Sequence, residues 1–382
     1  MVEVSVVMPV YNVEKYLSES LDSILNQTFR DIEIICVNDG SSDNSLKILE
    51  DYQKNDSRIK IITQSNNGAA SARNVGIEKS IGKYVYFMDS DDILELNALE
   101  ELHALAENRN LDLVIFKLIN FDDGTSNKYP NGYYEMKFLK EMVGENTFNY
   151  KDIGVRSFSI AVSPPGKLFK KDLISDIRFP EGYIFEDNAF FTEAILKAKA
   201  VCFYDKHLYN RRVRSDSVMG NRDIKQADII PVFNIMIDIV DRLNCLDEFK
   251  AYLLEYKLRT IMTRYNMVDD IYRKEFFKRI KNDFKTNEKD FDEVINEFSN
   301  KNKKYYENVL ESDTYKEFEL KVKIYEMARE NKRLEKDISD IKTKNKALKK
   351  QIKNNRREYE EILNSNSLKI TKPLRSITNL FK

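Results

Sequence analysis

A chain of 382 residues with 42% hydrophobic content exceeds the usual size of one domain and can bury a sizeable core, so one large catalytic unit with accessory segments is expected. Its 33% charged residues and mean hydropathy of -0.54 point to long solvated helices, and its net charge of -1 leaves no overall footprint for nucleic acid. Cys36, Cys202 and Cys245 lack CxxC spacing, and the two histidines, His103 and His207, stand far apart; zinc-finger, disulfide-framework and histidine-rich metal sites are excluded, and acid–base and metal chemistry falls to carboxylates.

The predicted elements start with Val4-Ser5-Val6-Val7-Met8, a short apolar β-rich run, after which Leu17, Leu21, Ile24 and Leu25 recur at helical spacing. A second strand, Ile32 to Val37, ends in Asn38-Asp39-Gly40-Ser41-Ser42-Asp43, where turn and helix N-cap chemistry meet, and a helix to about Tyr52 follows. Ile59 to Ile62 reads as a third strand, Ala69 to Lys79 as a third helix, and Tyr84 to Met88 as a fourth strand running into Asp89-Ser90-Asp91-Asp92. This βαβ series predicts an α/β fold with a mainly parallel sheet. Ligands collect beyond the carboxyl ends of such strands, which is where the polar clusters lie.

Residues 1–225 are expected to form the catalytic domain, with a nucleotide-binding half over about 1–120 and an acceptor half over about 121–225. The acceptor half is harder to read, because short aromatic runs mix with loops containing Pro130, Pro164, Pro165 and Pro180. Ile229, Phe233, Ile237 and Val240 give helical periodicity to a small helical domain over 226–315. Over 316–363 a heptad runs through Leu320, Ile324, Met327, Leu334, Ile338, Ile341, Leu348 and Ile352, with Asn331 and Asn345 at a positions, where a buried amide fixes register and favours two strands. A coiled-coil homodimer is the expectation, and a single long surface helix the alternative. The basic apolar tail over 364–382 is expected either to touch an anionic membrane surface or to dock on the helical domain. The first ten residues carry no signal-peptide pattern and no run of about 18 apolar residues occurs, so a cytoplasmic location is expected, with peripheral contact at the inner face of the membrane.

Asp89 and Asp91 are two residues apart, so in an extended segment their carboxylates face one side and can approach one hard cation, Mn²⁺ or Mg²⁺; an acidic surface turn is the plainer alternative. Asp39, ahead of Gly40, is placed to accept hydrogen bonds from a ribose or a base, or else to cap the helix after it. Arg73, on a helix of small residues, is placed to hold a diphosphate or to orient an aspartate. Glu186-Asp187 either complements a helix dipole or supplies a general base.

Together, Val6-Val7-Met8-Pro9-Val10-Tyr11-Asn12, Val37 to Asp43, Asn66 to Asn74, Asp89-Ser90-Asp91-Asp92 and Glu186-Asp187 resemble the inverting family 2 glycosyltransferases of GT-A fold, of the bacterial and archaeal cell-surface polysaccharide type. The resemblance covers about residues 3–220 and implies nucleotide-sugar contacts from Pro9, Tyr11, Asn12, Asp39, Asn66, Arg73, Asp89, Ser90, Arg212 and Arg214, metal ligation by Asp91, and Asp187 as catalytic base. Lys167 also resembles a family position, with closure over the diphosphate as its implied role. The implied reaction moves a sugar from a nucleotide-diphosphate donor, a UDP-sugar above all, to the hydroxyl of a carbohydrate or lipid-linked acceptor. The family often has a tryptophan at the acceptor site; this chain has none, which leaves Phe or Tyr as substitutes. The competing expectations are a sugar nucleotidyltransferase, which would release pyrophosphate, and a catalytically silent coiled-coil scaffold.

Overall fold

Four apolar runs that end in polar clusters become strands β1 (Val4–Val10), β2 (Ile32–Asp39), β3 (Ile59–Gln64) and β4 (Tyr84–Phe87). In this computed structural model, which describes residues 2–125, 127–214 and 222–364, they pair in parallel in the order β3-β2-β1-β4. Every residue of β2 is buried, as expected of a parallel strand covered on both faces. Pro9 is tolerated in a central strand because pairing to β4 stops at Val7 and Phe87, beyond which a ladder N–H is not required.

The longer helices of the first half are α1 (Leu17–Leu25), α2 (Ser45–Asn55), α3 (Ala69–Lys79) and α4 (Ala98–Arg109). Small residues let α3 lie close to the sheet: a Cβ on Gly76 would stand 2.1 Å from Cγ1 of Val7. Ala72 is fully buried against Ile35 and Val37, so α3 is tied to both β1 and β2.

The residues after β4 continue the same sheet. Strands β5 (Ile93–Leu94), β6 (Leu113–Asp122), β7 (Lys128–Pro130), β8 (Lys167–Lys170) and β9 (Val201–Val213) complete nine, in the order β3-β2-β1-β4-β8-β6-β9-β5, with β7 beside β6. Strand β8 runs antiparallel between β4 and β6, whereas β6 and β9 pair in parallel along most of their lengths, so the sheet remains parallel over most of its paired residues. Helix α5 (Glu186–Lys197) packs on α6 (Ile229–Arg242), which packs on α7 (Leu246–Tyr265); α8 (Asp270–Thr286) and α9 (Asn300–Glu311) follow.

Contacts divide the chain into one unit over Met1–Leu310 and a second over Glu311–Lys382. The segment expected to form a helical domain thus packs within the first unit. In the second unit, α10 (Tyr315–Asn364) is a helix of 50 residues. Its heptad residues Leu320, Ile324, Met327, Leu334, Ile338, Ile341, Leu348 and Ile352 stand 47–65% exposed in one continuous seam. The basic tail from residue 365 onward lies outside the described residues. Among the described residues no helix is long and apolar enough to cross a membrane.

Candidate active site

The loops after β1, β2 and β3 are tied to one another. Asn12, at φ +49°, accepts a hydrogen bond on Oδ1 from the Ser42 amide at 2.8 Å and donates its own amide to Ser41 Oγ at 3.2 Å. Asparagine is among the few residues that adopt this left-handed conformation readily. Tyr11 beside it is 48% exposed. Asp39 is buried, and its carboxylate accepts from the Asn67 amide at 2.9 Å, the Gly68 amide at 2.8 Å and Gln64 Nε2 at 2.8 Å. The carboxylate therefore fixes the turn into α3; it does not cap α2, the helix that follows it in sequence. Gly40, at φ +72°, is needed because a Cβ there would stand 2.9 Å from the Asn66 amide nitrogen. What approaches Gly40 is the Asn66 backbone, and the Asn66 side chain is left exposed.

The loop after β4 is held from β9. Asp92 is the anchor: Tyr209 Oη donates to its Oδ2 at 2.7 Å, the Arg212 amide donates to Oδ1 at 2.7 Å, and Ser20 Oγ of α1 donates to its carbonyl at 2.6 Å. Burial, with Asp91 and Asp89 alongside, pushes the Asp92 carboxyl well above the usual carboxylate range. Tyr209 Oη also accepts from the Asp89 amide at 3.3 Å. Ser90 is buried within the loop. Neither Asp92 nor Tyr209 stood among the expected site residues, although Asp92 falls inside the Asp89-Ser90-Asp91-Asp92 cluster.

Each carboxylate of the Asp89/Asp91 pair meets an arginine. Arg214 Nη2 lies 2.9 Å from Asp91 Oδ2, and Arg73 Nη2 donates to Asp89 Oδ1 at 3.1 Å. The Asp91 carboxyl is pushed upward by burial first and by the Asp89 charge second, against the pull of Arg214. Two crowded carboxylates whose charges resist one another suit a hard divalent cation, which prefers oxygen donors and takes few of them from protein. Among the described residues no group of three or more His, Cys, Asp or Glu side chains gathers at one metal-sized site.

Arg212 differs from its implied role. It is buried, with Nη2 2.5 Å from Glu19 Oε2, Nη1 3.0 Å from Asp123 Oδ1 and Nε donating to the Asp91 carbonyl at 2.8 Å. Its guanidinium is a strut behind the aspartate loop rather than an open phosphate ligand. Lys167 is engaged likewise: it is 1% exposed, and its Nζ donates to the carbonyls of Ala161 at 2.5 Å and Ser163 at 2.7 Å over the Phe191 ring. Burial lowers its pKa to about 7, opposed by the charge of Asp187. It cannot close over a diphosphate without abandoning that pocket.

Arg73 joins the two halves. Only 8% exposed, it donates from Nη1 to Glu186 Oε1 at 2.7 Å while Nη2 holds Asp89, and its guanidinium lies over the Phe179 ring. Asp187, next along and in the first turn of α5, accepts from Asn188 Nδ2 at 3.0 Å. Burial and then the Glu186 charge raise its pKa to about 6, against the opposing pull of Arg73 and Lys167. A helix N-terminus would favour the carboxylate form, but here desolvation wins. Phe185, just ahead, is held at φ +72°, a conformation that costs a non-glycine residue on the order of 1–3 kcal/mol and gathers at functional sites. Tyr133, Tyr134 and Tyr256 all feel the Asp187 charge. Tyr256 comes from α7, which the sequence reading did not connect with the site.

Residues 5–163 match the sequence profile of "Glycosyl transferase family 2". "Glycosyltransferase GlyG" of Streptococcus pneumoniae serotype 4 is 36% identical over 236 residues, spanning 60% of this chain and 78% of that protein. "Glycosyltransferase GlyA" of the same organism is 35% identical over 220 residues, 56% of this chain but 31% of its own longer one. Staphylococcus aureus TarS 1-349, crystallised with UDP-GlcNAc, shares the fold at a TM-score of 0.68 and 22% identity, covering 85% of this chain and 92% of that one. An identity of this level along most of GlyG, on a sheet that gathers the same ordered motifs at its carboxyl edge, makes the chain a member of glycosyl transferase family 2, with the GT-A fold.

Proposed function

We propose that the protein is an inverting, divalent-metal-assisted glycosyltransferase that moves a sugar from a UDP-sugar to an acceptor hydroxyl in the synthesis of a cell-surface polysaccharide or glycoconjugate. The observation that carries this reading is the pKa of Asp187, raised to about 6, on a helix start joined through Glu186 and Arg73 to Asp89. A base poised near the working pH is protonated too rarely to be idle and is still basic enough to take a hydroxyl proton. The UDP and UDP-GlcNAc complexes of TarS support the choice of nucleotide.

In this mechanism the loops of Pro9, Tyr11, Asn12, Asp39 and Asn66 receive the nucleoside. Asp39, whose oxygens already hold the α3 turn, contributes through its remaining lone pair. Asp89 and Arg214 flank the diphosphate, Arg73 sets the position of Asp89, and Asp91 would hold Mn²⁺ or Mg²⁺. When bound, the cation supplies charge neutralisation for the departing diphosphate. Asp187 accepts the acceptor proton as the hydroxyl oxygen attacks the anomeric carbon and the bond to the diphosphate breaks. The acceptor lies on the Tyr133 and Tyr256 side, and the product has inverted configuration. The exposed seam of α10 favours a homodimer through a parallel coil, and residues 365–382 suit reversible contact at the inner face of the membrane.

A panel of nucleotide sugars incubated with Mn²⁺ and candidate acceptors tests the reading. UDP should appear with one UDP-sugar, in step with a product of inverted configuration. Release of pyrophosphate from a nucleoside triphosphate and a sugar phosphate would instead establish a nucleotidyltransferase.

A further inference from the structure

Arg264, in the last turn of α7, is the feature of the site that the mechanism above leaves unused. It is half-buried, and its guanidinium carbon stands 4.4 Å from the centre of the Phe185 ring, the strained residue immediately before Glu186 and Asp187. Burial is the largest influence on it and lowers its pKa, opposed by Tyr256, Asp187 and Tyr133, the groups that line the acceptor side. No carboxylate among the described residues pairs with it. A guanidinium has five N–H donors, yet only Nη1 finds partners, Gln226 Oε1 at 3.4 Å and the Met267 sulfur at 4.0 Å, both long. The other arginines of the site are each neutralised: Arg73 by Asp89 and Glu186, Arg212 by Glu19 and Asp123, Arg214 by Asp91. A half-buried cation without a counter-ion is held less favourably than a paired one and gains a charge-assisted hydrogen bond when an anion arrives with a ligand. The Phe185 ring lies against the guanidinium, and Nε and Nη2, the donors Nη1's contacts leave over, are the pair with which an arginine grips an oxyanion.

Resting on the reading of Asp187 as the base, we propose that Arg264 binds an oxyanion carried by the acceptor, so that the acceptor is an anionic polymer or glycoconjugate. The oxyanion is a phosphodiester or a carboxylate, which the fork of an arginine recognises alike. Arg264 belongs to α7, beyond the family-matched residues 5–163, so the preference is supplied by the helical segment and not by the residues the family model matches.

The test is calorimetric titration of the full chain, saturated with UDP and Mn²⁺, with three oligomers of equal length: glycerol phosphate, galacturonate and neutral maltose-type glucan. At least one anionic oligomer should bind about tenfold or more tightly than the neutral one, and the preference should weaken as salt rises. Arg264→Gln should abolish the preference with UDP affinity unchanged, and Arg264→Lys should keep part of it. Equal binding of all three oligomers to the unaltered protein, or a preference that survives in Arg264→Gln, overturns the proposal. Failure of the unaltered protein to bind UDP contradicts the donor reading instead, and the same titration without nucleotide still decides the role of Arg264.

Discussion

Replacing Arg73 by Gln separates a relay from a simple ligand. The guanidinium holds Glu186 at 2.7 Å and Asp89 at 3.1 Å, and it lowers the pKa of Asp187. Removing one partner of a buried ion pair costs about 3–5 kcal/mol, and because Asp89 is 38% exposed, water screens its share and the lower figure, about 3 kcal/mol, applies. At ~2 °C per kcal/mol for a large unit, the melting temperature should fall by ~6 °C. The catalytic consequence has a definite sign. Without the cation, Asp187 climbs from about 6, so its ionised form needs a higher pH. The rising limb of the pH–rate profile should move to alkaline pH, with a loss that deepens as pH falls through 6 and partial recovery above pH 8. Arg73→Lys, which restores charge but not the two-pronged geometry, should bring the limb back without restoring the full rate. A profile that drops uniformly, with its limb unmoved or shifted to acid, would refute the relay.

Asp187→Asn should raise stability at neutral pH even as it lowers activity. A carboxyl whose folded pKa stands above its unfolded value is destabilising once ionised, so the gain in urea midpoint should be full above pH 6, shrink as pH falls, and vanish below about pH 4. Asp91→Asn should leave UDP binding without metal nearly unchanged and remove the increment that Mn²⁺ adds, as read by calorimetry; an undiminished increment assigns the ion elsewhere. Deleting residues 313–382 removes α10 and should convert a dimer to a monomer in light scattering, whereas a monomeric full-length chain would contradict the parallel coil.

The part of the fold over about residues 1–120 was legible because each apolar run there ends in a polar cluster, and α3 was read at its observed bounds, Ala69–Lys79. The long strand β9 was not. Its register against β6 slips between Phe116 and Lys117, which puts Asp205 and Lys206 in mid-strand and breaks the alternation that marks a strand. Strand β8, only four residues long, carries too little pattern to read. Residue types pointed to the loops at the carboxyl edge of the sheet, but sequence cannot tell an open cation from one already satisfied. Arg212 and Lys167 were read as closing on the diphosphate; Arg212 is occupied by Glu19 and Asp123, which are distant in sequence, and Lys167 by the carbonyls of Ala161 and Ser163 in the turn just before it, which residue types alone do not announce. Asp39 shows the same limit, since the turn it clamps is brought to it only by the pairing of β2 with β3.

The most direct measurement of the central claim is the transfer rate of Asp187→Asn set beside its affinity for UDP with Mn²⁺. The substitution keeps the shape of the side chain and removes its basicity. Transfer should fall by roughly 10²- to 10⁴-fold while UDP affinity stays within about twofold of the unaltered protein. Near-normal transfer, under conditions where the chemical step limits the rate, would contradict the assignment of Asp187 as the base and pass the role to Glu186.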